Sequence, residues 1–339
     1  MLPRAQGCLL GQLTGDSLGS LVEFKTPREI KTLYPDGVRE LKDGGVFDLL
    51  AGQPTDDSEM ALTLAQAMIK RGWYNEDRVR SAYTSWLDSL PFDCGNTIAG
   101  ALRGSRDQKS QGNGAMMRVS PLGIGYAPYI DEEHGFTLTR RRAATDAKIT
   151  HPNKLCVDAN MLYVAAIAEA INSPKEPRVI YDKIKTWAEQ FDAHPALREA
   201  IDNARSSPPA DYMTQMGWVL IAFQNALYQL LHAPNFTEAV VDTVMHGGDT
   251  DTNAAICGAL LGAVYGVDEI PAQWKDAVLT CRPRAGDAGV KRPRPEWLWP
   301  VNAMELSEKL LDIRERAPMW ADEELGGRRI TKDGEIYTF

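Results

Sequence analysis

The chain is 339 residues long, with 44% hydrophobic and 24% charged residues, the balance of a soluble globular protein able to bury a core without disulfides or a structural metal. Its 37 basic against 46 acidic residues leave a net charge of −9, which argues against a nucleic acid as a main partner but not against a small phosphorylated ligand held by backbone amides. Apolar runs are interrupted short of the ~18–20 residues that a bilayer span requires, so no membrane segment is expected.

The first residues lack the long apolar stretch and small-residue cleavage site of a signal peptide. Five cysteines (Cys8, Cys94, Cys156, Cys257, Cys281) form no CxxC pair, which predicts reduced thiols in a cytoplasmic protein. In chain order, the first element is a helix marked by Gly7, Gly11, Gly15 and Gly19. Val38–Leu41 and Val46–Leu49 flank an Asp43-Gly44-Gly45 turn and predict a small hairpin. Apolar residues at three- and four-residue intervals then predict helices over 58–71, 76–90, 137–149, 154–172, 178–191, 214–231, 236–246, 253–266 and 303–314. The stretch from Arg282 to Pro300, rich in Pro, Arg and Lys, reads as a surface segment, with Trp297 and Trp299 anchoring it to the domain. A second hairpin is predicted around Lys332-Asp333-Gly334. The expected architecture is all-α: one compact multi-helix domain over 1–316 with minor β-hairpins, followed by a tail over 317–339.

Glycines four apart lie along one helix face, and each costs roughly 0.8–1 kcal/mol relative to alanine. Close approach of another backbone is the usual compensation. The same stripe recurs at Gly258, Gly262 and Gly266, so two core helices are expected to pack backbone to backbone. Four residues beyond Gly19 lies Glu23, which a longer helix would place on the contact face. If the helix ends by Leu21, Glu23 becomes a solvated surface acid.

Two acidic clusters precede apolar helices: Thr55-Asp56-Asp57-Ser58-Glu59 and Gly247-Gly248-Asp249-Thr250-Asp251-Thr252. Singly, each reads as a helix cap, and Asp56 with Glu59 fits a loose capping box. Jointly, they hold more carboxylates than caps need, and a helix N-terminus stabilises an anion by only ~0.3–1 kcal/mol. Asp56, Asp57, Asp249 and Asp251 gathered in one place would repel strongly. A hard divalent cation resolves that conflict, since Mg²⁺, Mn²⁺ and Ca²⁺ prefer carboxylate, hydroxyl and water oxygens.

Taken together, Gly15-Asp16-Ser17-Leu18-Gly19 with Glu23, Thr55-Asp56-Asp57-Ser58, Gly112-Asn113-Gly114-Ala115-Met116-Met117-Arg118, Thr150-His151 and the Gly247–Thr252 cluster resemble the ADP-ribosylglycohydrolases. The resemblance, in order from about Gly7 to Gly266, implies an all-α fold with a binuclear Mg²⁺ or Mn²⁺ site and an ADP-ribosylated protein or other acceptor as partner. The implied ligands are Thr55, Asp56, Asp57, Asp249, Asp251 and Thr252, with Glu23 and Asp57 as the catalytic carboxylates. Gly112, Asn113, Gly114 and Met117 match the loop that holds ADP-ribose, and Asp93, Gly95 and His151 match positions lining its cleft. No aromatic precedes the Gly112–Gly114 loop where some members place one against adenine, which leaves Tyr212 or Trp218 as candidates. The implied reaction is metal-dependent release of ADP-ribose by cleavage at ribose C1″, with an arginine-type acceptor favoured.

Two other readings compete. Gly15-Asp16-Ser17-Leu18 spells the motif of the GDSL-type serine esterases, with Ser17 as nucleophile; that elbow needs a strand before the serine. A non-catalytic ADP-ribose-binding relative would have no need of Glu23 and both acidic clusters.

Overall fold

The computed structural model describes residues 1–174 and 176–313, together with the backbone of 328–330 and 336–338. Among the described residues the chain is a helical assembly. It opens with α1 (Leu2–Gly19) and the short α2 (Pro27–Leu33), then α3 (Asp56–Arg71), α4 (Glu76–Asp88), α5 (Asn96–Leu102) and α6 (Ser120–Tyr126). The middle holds α7 (Gly135–Thr150), α8 (Lys154–Asn172), α9 (Pro177–Gln190) and α10 (Pro195–Asn203). It continues with α11 (Val219–His232), α12 (Phe236–Met245), α13 (Thr250–Tyr265), α14 (Ala272–Thr280) and α15 (Ala303–Leu311). Among the described residues the one sheet is the antiparallel pair β1 (Arg328–Ile330) and β2 (Ile336–Thr338), with Arg328 opposite Thr338. That pair is the expected C-terminal hairpin; its turn and the rest of the 317–339 tail lie outside the described residues.

The two glycine stripes meet as expected. A Cβ added at Gly7 would lie 2.3 Å from the Gly262 carbonyl oxygen, at Gly11 2.3 Å from that of Gly258, at Gly15 2.2 Å from that of Ala254 and at Gly19 2.3 Å from that of Thr250. The pairing runs antiparallel, so the C-terminal end of α1 abuts the N-terminal end of α13. The Thr250 hydroxyl seals that corner by donating to the Gly19 carbonyl at 2.7 Å. Both helices are buried along almost their whole length.

α8 forms the other central column. By length and mean hydropathy (1.3) it could cross a membrane, but 94% of it is buried inside the fold. Its apolar character fits a core helix surrounded by protein, and it also buries Asp158, Asn160 and Glu169.

Three expectations are corrected. The 38–49 segment forms a single bridge, Gly44 with Leu49, and no hairpin: Gly44, Gly45 and Asp48 all have positive φ, which turns the chain out of the extended conformation. The helix expected over 214–231 begins only at Val219, because Gln215 at φ +56° breaks the pattern. The Arg282–Pro300 stretch is no mere surface strap. Arg294 is buried and forks onto Glu59 of α3, Nε to Oε1 at 2.7 Å and Nη2 to Oε2 at 2.8 Å, while Trp299 is buried beside it and Trp297 stays partly exposed. The helices that periodicity missed, α2, α5, α6, α10 and α14, span only seven to nine residues, too few turns for a repeat to register.

Candidate functional site

Neither acidic cluster works as an ordinary cap. The N-cap of α3 is Thr55, whose side chain makes no capping bond. That service comes from Asp16 of α1, whose carboxylate accepts from the Thr55 N–H at 3.1 Å and the Ser58 N–H at 3.1 Å. Glu59 takes no part in a capping box; Arg294 and the Trp86 indole N–H (2.8 Å) hold it. Asp56 and Asp57 are thereby free to face the cleft. At α13 the N-cap is Asp249, again without a capping bond, and its Oδ2 accepts from Asn113 Nδ2 at 2.7 Å.

Glu23 lies past the end of α1, in the turn after Gly19, yet it is buried. The helix stops early, as the second reading held, and the carboxylate is nonetheless withdrawn from the outer surface, with Glu23 only 5% exposed. A backbone clasp explains this: the Phe24 N–H donates to the Gly248 carbonyl at 2.8 Å and the Gly248 N–H to the Lys25 carbonyl at 3.1 Å. Gly248 sits at φ +77°, and a Cβ there would lie 2.1 Å from the Tyr212 carbonyl oxygen, so only glycine makes this turn. The clasp sets Glu23 beside Asp249 and Asp251, one oxygen of each lying within 4.8 Å of the others.

Asp57 joins the two clusters. Its Oδ2 is 3.2 Å from the Thr55 hydroxyl and 3.3 Å from that of Thr252, 195 positions away. The Thr55 hydroxyl also lies 2.9 Å from Asp16 Oδ1, so one proton faces two carboxylates.

These groups floor a cleft of about 310 Å³ lined by Glu23, Asp56, Asp57, Asp93, Asp249 and Asp251. Gly95, Gly112, Asn113, Gly114, Met117, His151 and Thr252 line the same cleft, so the structure gathers these expected site residues at one place, while Thr55 is fully buried and outside the lining. The Gly112–Gly114 loop is laced to the start of α11, with the Asn113 N–H on the Gly217 carbonyl and the Val219 N–H on the Gln111 carbonyl, both at 2.9 Å. Tyr212 and Trp218 do not line it. The Tyr212 hydroxyl is spent on Asn225 and its ring on His246, and Trp218 bonds to Gln111. Besides Met117, the apolar lining comes from Phe24, Ile98 and Met216, which no sequence motif marked.

The cleft lining holds six carboxylates and neither Lys nor Arg. Burial and the charges of Asp93 and Asp249 push Glu23 up to about 9. Burial, then neighbouring carboxylates, holds Asp56, Asp57 and Asp251 well above the usual range. Burial also raises Asp16, to about 6. Glu23 Oε2 and Asp57 Oδ1 are buried without a hydrogen-bond partner. Crowded, desolvated carboxylates with unspent oxygens are the donor set a hard divalent cation takes. Glu23, Asp56, Asp57, Asp249 and Asp251, with the hydroxyls of Thr55 and Thr252, could hold one.

Ser17 is placed differently from what an esterase needs. It lies inside α1, an unbroken helix with no strand before it, so the serine-nucleophile reading fails.

The sequence profile of the ADP-ribosylglycohydrolases matches residues 1–306. The chain belongs to that family. As an ADP-ribosylglycohydrolase it is an enzyme, which sets aside the non-catalytic reading. It is 29% identical over 281 residues to the ADP-ribosyl-[dinitrogen reductase] glycohydrolase of Rhodospirillum rubrum, covering 80% of this chain and 88% of the relative. It is 27% identical over 294 residues to the ADP-ribosylarginine hydrolase Tri1 of Pseudomonas putida (strain GB-1), covering 82% and 74%. A solved chain of an ADP-ribosylglycohydrolase-related protein complex superposes with a TM-score of 0.70 at 26% identity, covering 92% of this chain and 97% of that one. The family match extends past Gly266 and takes in Arg294, so the basic Pro-rich stretch is part of the glycohydrolase fold.

Proposed function

We propose that this glycohydrolase releases ADP-ribose from an ADP-ribosylated arginine side chain by cleaving the bond at ribose C1″, with two divalent cations, Mg²⁺ or Mn²⁺, as cofactors. The observation that carries the reading is the crowding of Glu23, Asp249 and Asp251 beside a backbone loop with no basic side chain in the cleft. Thr55, Asp56, Asp57, Asp249, Asp251 and Thr252 would hold the ions. When bound, such ions polarise oxygen ligands and lower the pKa of a coordinated water.

The chain's own residues have distinct tasks in this reading. The Asn113 N–H is spent on the Gly217 carbonyl, so in this reading the Gly114 N–H is the loop amide that would meet the diphosphate, a contact that needs no lysine or arginine. Asn113 fixes the Asp249 carboxylate through its Nδ2 bond. Glu23 and Asp57 each keep one buried oxygen without a partner, so either can take a proton from the attacking water and return one to the leaving group. The transition state is oxocarbenium-like, and the cleft lining sets no lysine or arginine against its positive charge.

Phe24 supports the choice of acceptor. It lines the cleft while 54% exposed, at a φ of +64°, and strained exposed residues concentrate at functional sites. A flat aromatic face beside carboxylates suits a planar guanidinium. The Pseudomonas putida relative is an ADP-ribosylarginine hydrolase, in agreement with this acceptor.

The test is turnover of proteins ADP-ribosylated at arginine or at serine, with Mg²⁺, Mn²⁺ or a chelator. Arginine-linked ADP-ribose should be released, and only with metal. Phe24→Ala should raise KM for that substrate about two- to thirtyfold, from a cation–π contact of ~0.5–2 kcal/mol, and leave free ADP-ribose binding unchanged. Full rate in chelator, or preference for the serine linkage, would overturn the reading.

A further inference from the structure

Behind the Gly112–Gly114 loop lies a buried polar chain that the proposed reaction does not use. Arg118 and Asp146 are both fully buried. The guanidinium donates from Nε to Asp146 Oδ2 (3.1 Å), from Nη2 to the Asp146 carbonyl (3.0 Å), and from Nη1 to the Gly114 carbonyl (3.1 Å) and the Thr150 hydroxyl (2.8 Å). Tyr83 completes the enclosure, its hydroxyl on Asp146 Oδ1 and its ring 4.6 Å from the Arg118 guanidinium carbon. The Thr150 oxygen in turn lies 2.8 Å from His151 Nδ1.

Hydrogen-bond satisfaction favours one direction for this chain. A guanidinium has donors only and stays charged, so the Thr150 oxygen must accept from Nη1. The same oxygen has a second lone pair that could take an Nδ1–H, but its own buried proton would then meet no acceptor, because among the described residues only Arg118 and His151 lie within hydrogen-bond reach of it. Satisfaction of that proton points it at His151 Nδ1. A ring nitrogen that accepts cannot carry a proton, and in a neutral imidazole the proton then sits on the other nitrogen. That other nitrogen, Nε2, faces the loop, 3.3 Å from where a Cβ on Gly112 would stand and 3.4 Å from one on Gly114.

We infer that Arg118 and Thr150 are positioning residues that lock His151 in the Nε2–H tautomer, so that the ring presents one uncharged N–H donor to an oxygen of the ligand lying on the Gly112–Gly114 loop. Burial, aided by the Arg118 charge, holds the imidazole far below its ordinary range, at about 3, in keeping with a ring that binds and does not shuttle protons. The same Arg118 pins the Gly114 carbonyl, so loop and ring are set by one group. The ligand's identity as ADP-ribose rests on the function proposed above; the tautomer does not.

Histidine labelled with ¹⁵N in the full-length protein tests the lock directly. Two-bond proton–nitrogen correlations should show His151 protonated at Nε2 and bare at Nδ1, without ligand and without turnover. Thr150→Val removes the relay while keeping the shape, and Thr150→Ser keeps the hydroxyl. With Thr150→Val, the dissociation constant of free ADP-ribose and the KM should rise about tenfold, the scale of one lost hydrogen bond, with kcat within about twofold. Thr150→Ser should restore both. A wild-type ring protonated at Nδ1 or at both nitrogens would overturn the inference, as would wild-type ADP-ribose affinity in a Thr150→Val protein. If the nitrogen spectrum is as expected but no linkage is hydrolysed, the proposed reaction fails and the tautomer lock stands.

Discussion

Asp251 shows how little of an acid's role is visible in its own neighbourhood. Its Oδ1 accepts the adjacent Thr252 N–H, as in many helix starts, while the charges of Glu23, Asp57 and Asp249 crowd it. Asp251→Asn removes one of those charges without changing shape. The variant should fold and, in chelator, be at least as stable as the parent, because a repulsion has gone. It should lose about 100-fold or more in affinity for Mg²⁺ or Mn²⁺, as ligand loss exceeds the ~10–100-fold typical of outer-shell changes, and activity should fall with it. Calorimetric metal titration beside an activity assay checks both; a variant that binds metal normally removes Asp251 from the ligand set. The acidic clusters were legible in the sequence because caps do not need so many carboxylates. Asp16 was not, since a carboxylate that caps a helix distant in the chain leaves no local pattern. Phe24 was hidden for a similar reason: its exposure depends on a clasp to Gly248 that spans most of the chain.

The decisive element is the α1–α13 pair. Gly7 and Gly19 stand near opposite ends of the same contact, each with 2.3 Å between a hypothetical Cβ and a carbonyl oxygen of α13. Alanine at either position gains up to ~1 kcal/mol of helix propensity and incurs overpacking of typically ~1–3 kcal/mol or more, so both variants should be net destabilised. Their effects on activity should differ. Gly19→Ala drives against Thr250 and Asp251 and should depress metal affinity, whereas Gly7→Ala acts at the far end and should spare it. Chemical denaturation with metal titration distinguishes them, and equal metal affinity in the two variants would contradict the coupling. The spacing of the glycines made this pairing legible, because nothing but backbone contact compensates four of them in one helix. The short helices and the burial of Arg294 were illegible, the former for want of turns and the latter because composition reports charge and not the partner, here Glu59, that lets it be buried.

Over the whole molecule, the cleft makes stability depend on pH in a direction opposite to the common one. A carboxyl whose pKa is raised on folding binds protons more tightly in the native state, so stability falls as pH rises between the unfolded and folded values. For Glu23 that window runs from 4.5 to about 9, and for Asp16 from 3.8 to about 6. In chelator, the melting temperature should therefore decline as pH rises across this range. Saturating Mg²⁺ or Mn²⁺ supplies the missing positive charge and should flatten the decline, adding ~2.7 kcal/mol at a hundredfold excess over Kd. Scanning calorimetry at several pH values, with and without metal, measures the difference. A metal-free protein that grows more stable towards pH 9 would show that the acids are not crowded as described.

The corner where Thr250 meets Gly19 joins residues 231 positions apart. At roughly 5–20 residues per second of synthesis, the ribosome needs about 10–50 s to deliver the second after the first. For that interval the leading helix waits with its bare ridge uncovered, a natural client for chaperones. A chain cut short before Thr250 lacks α13 (Thr250–Tyr265) and leaves that ridge of α1 bare.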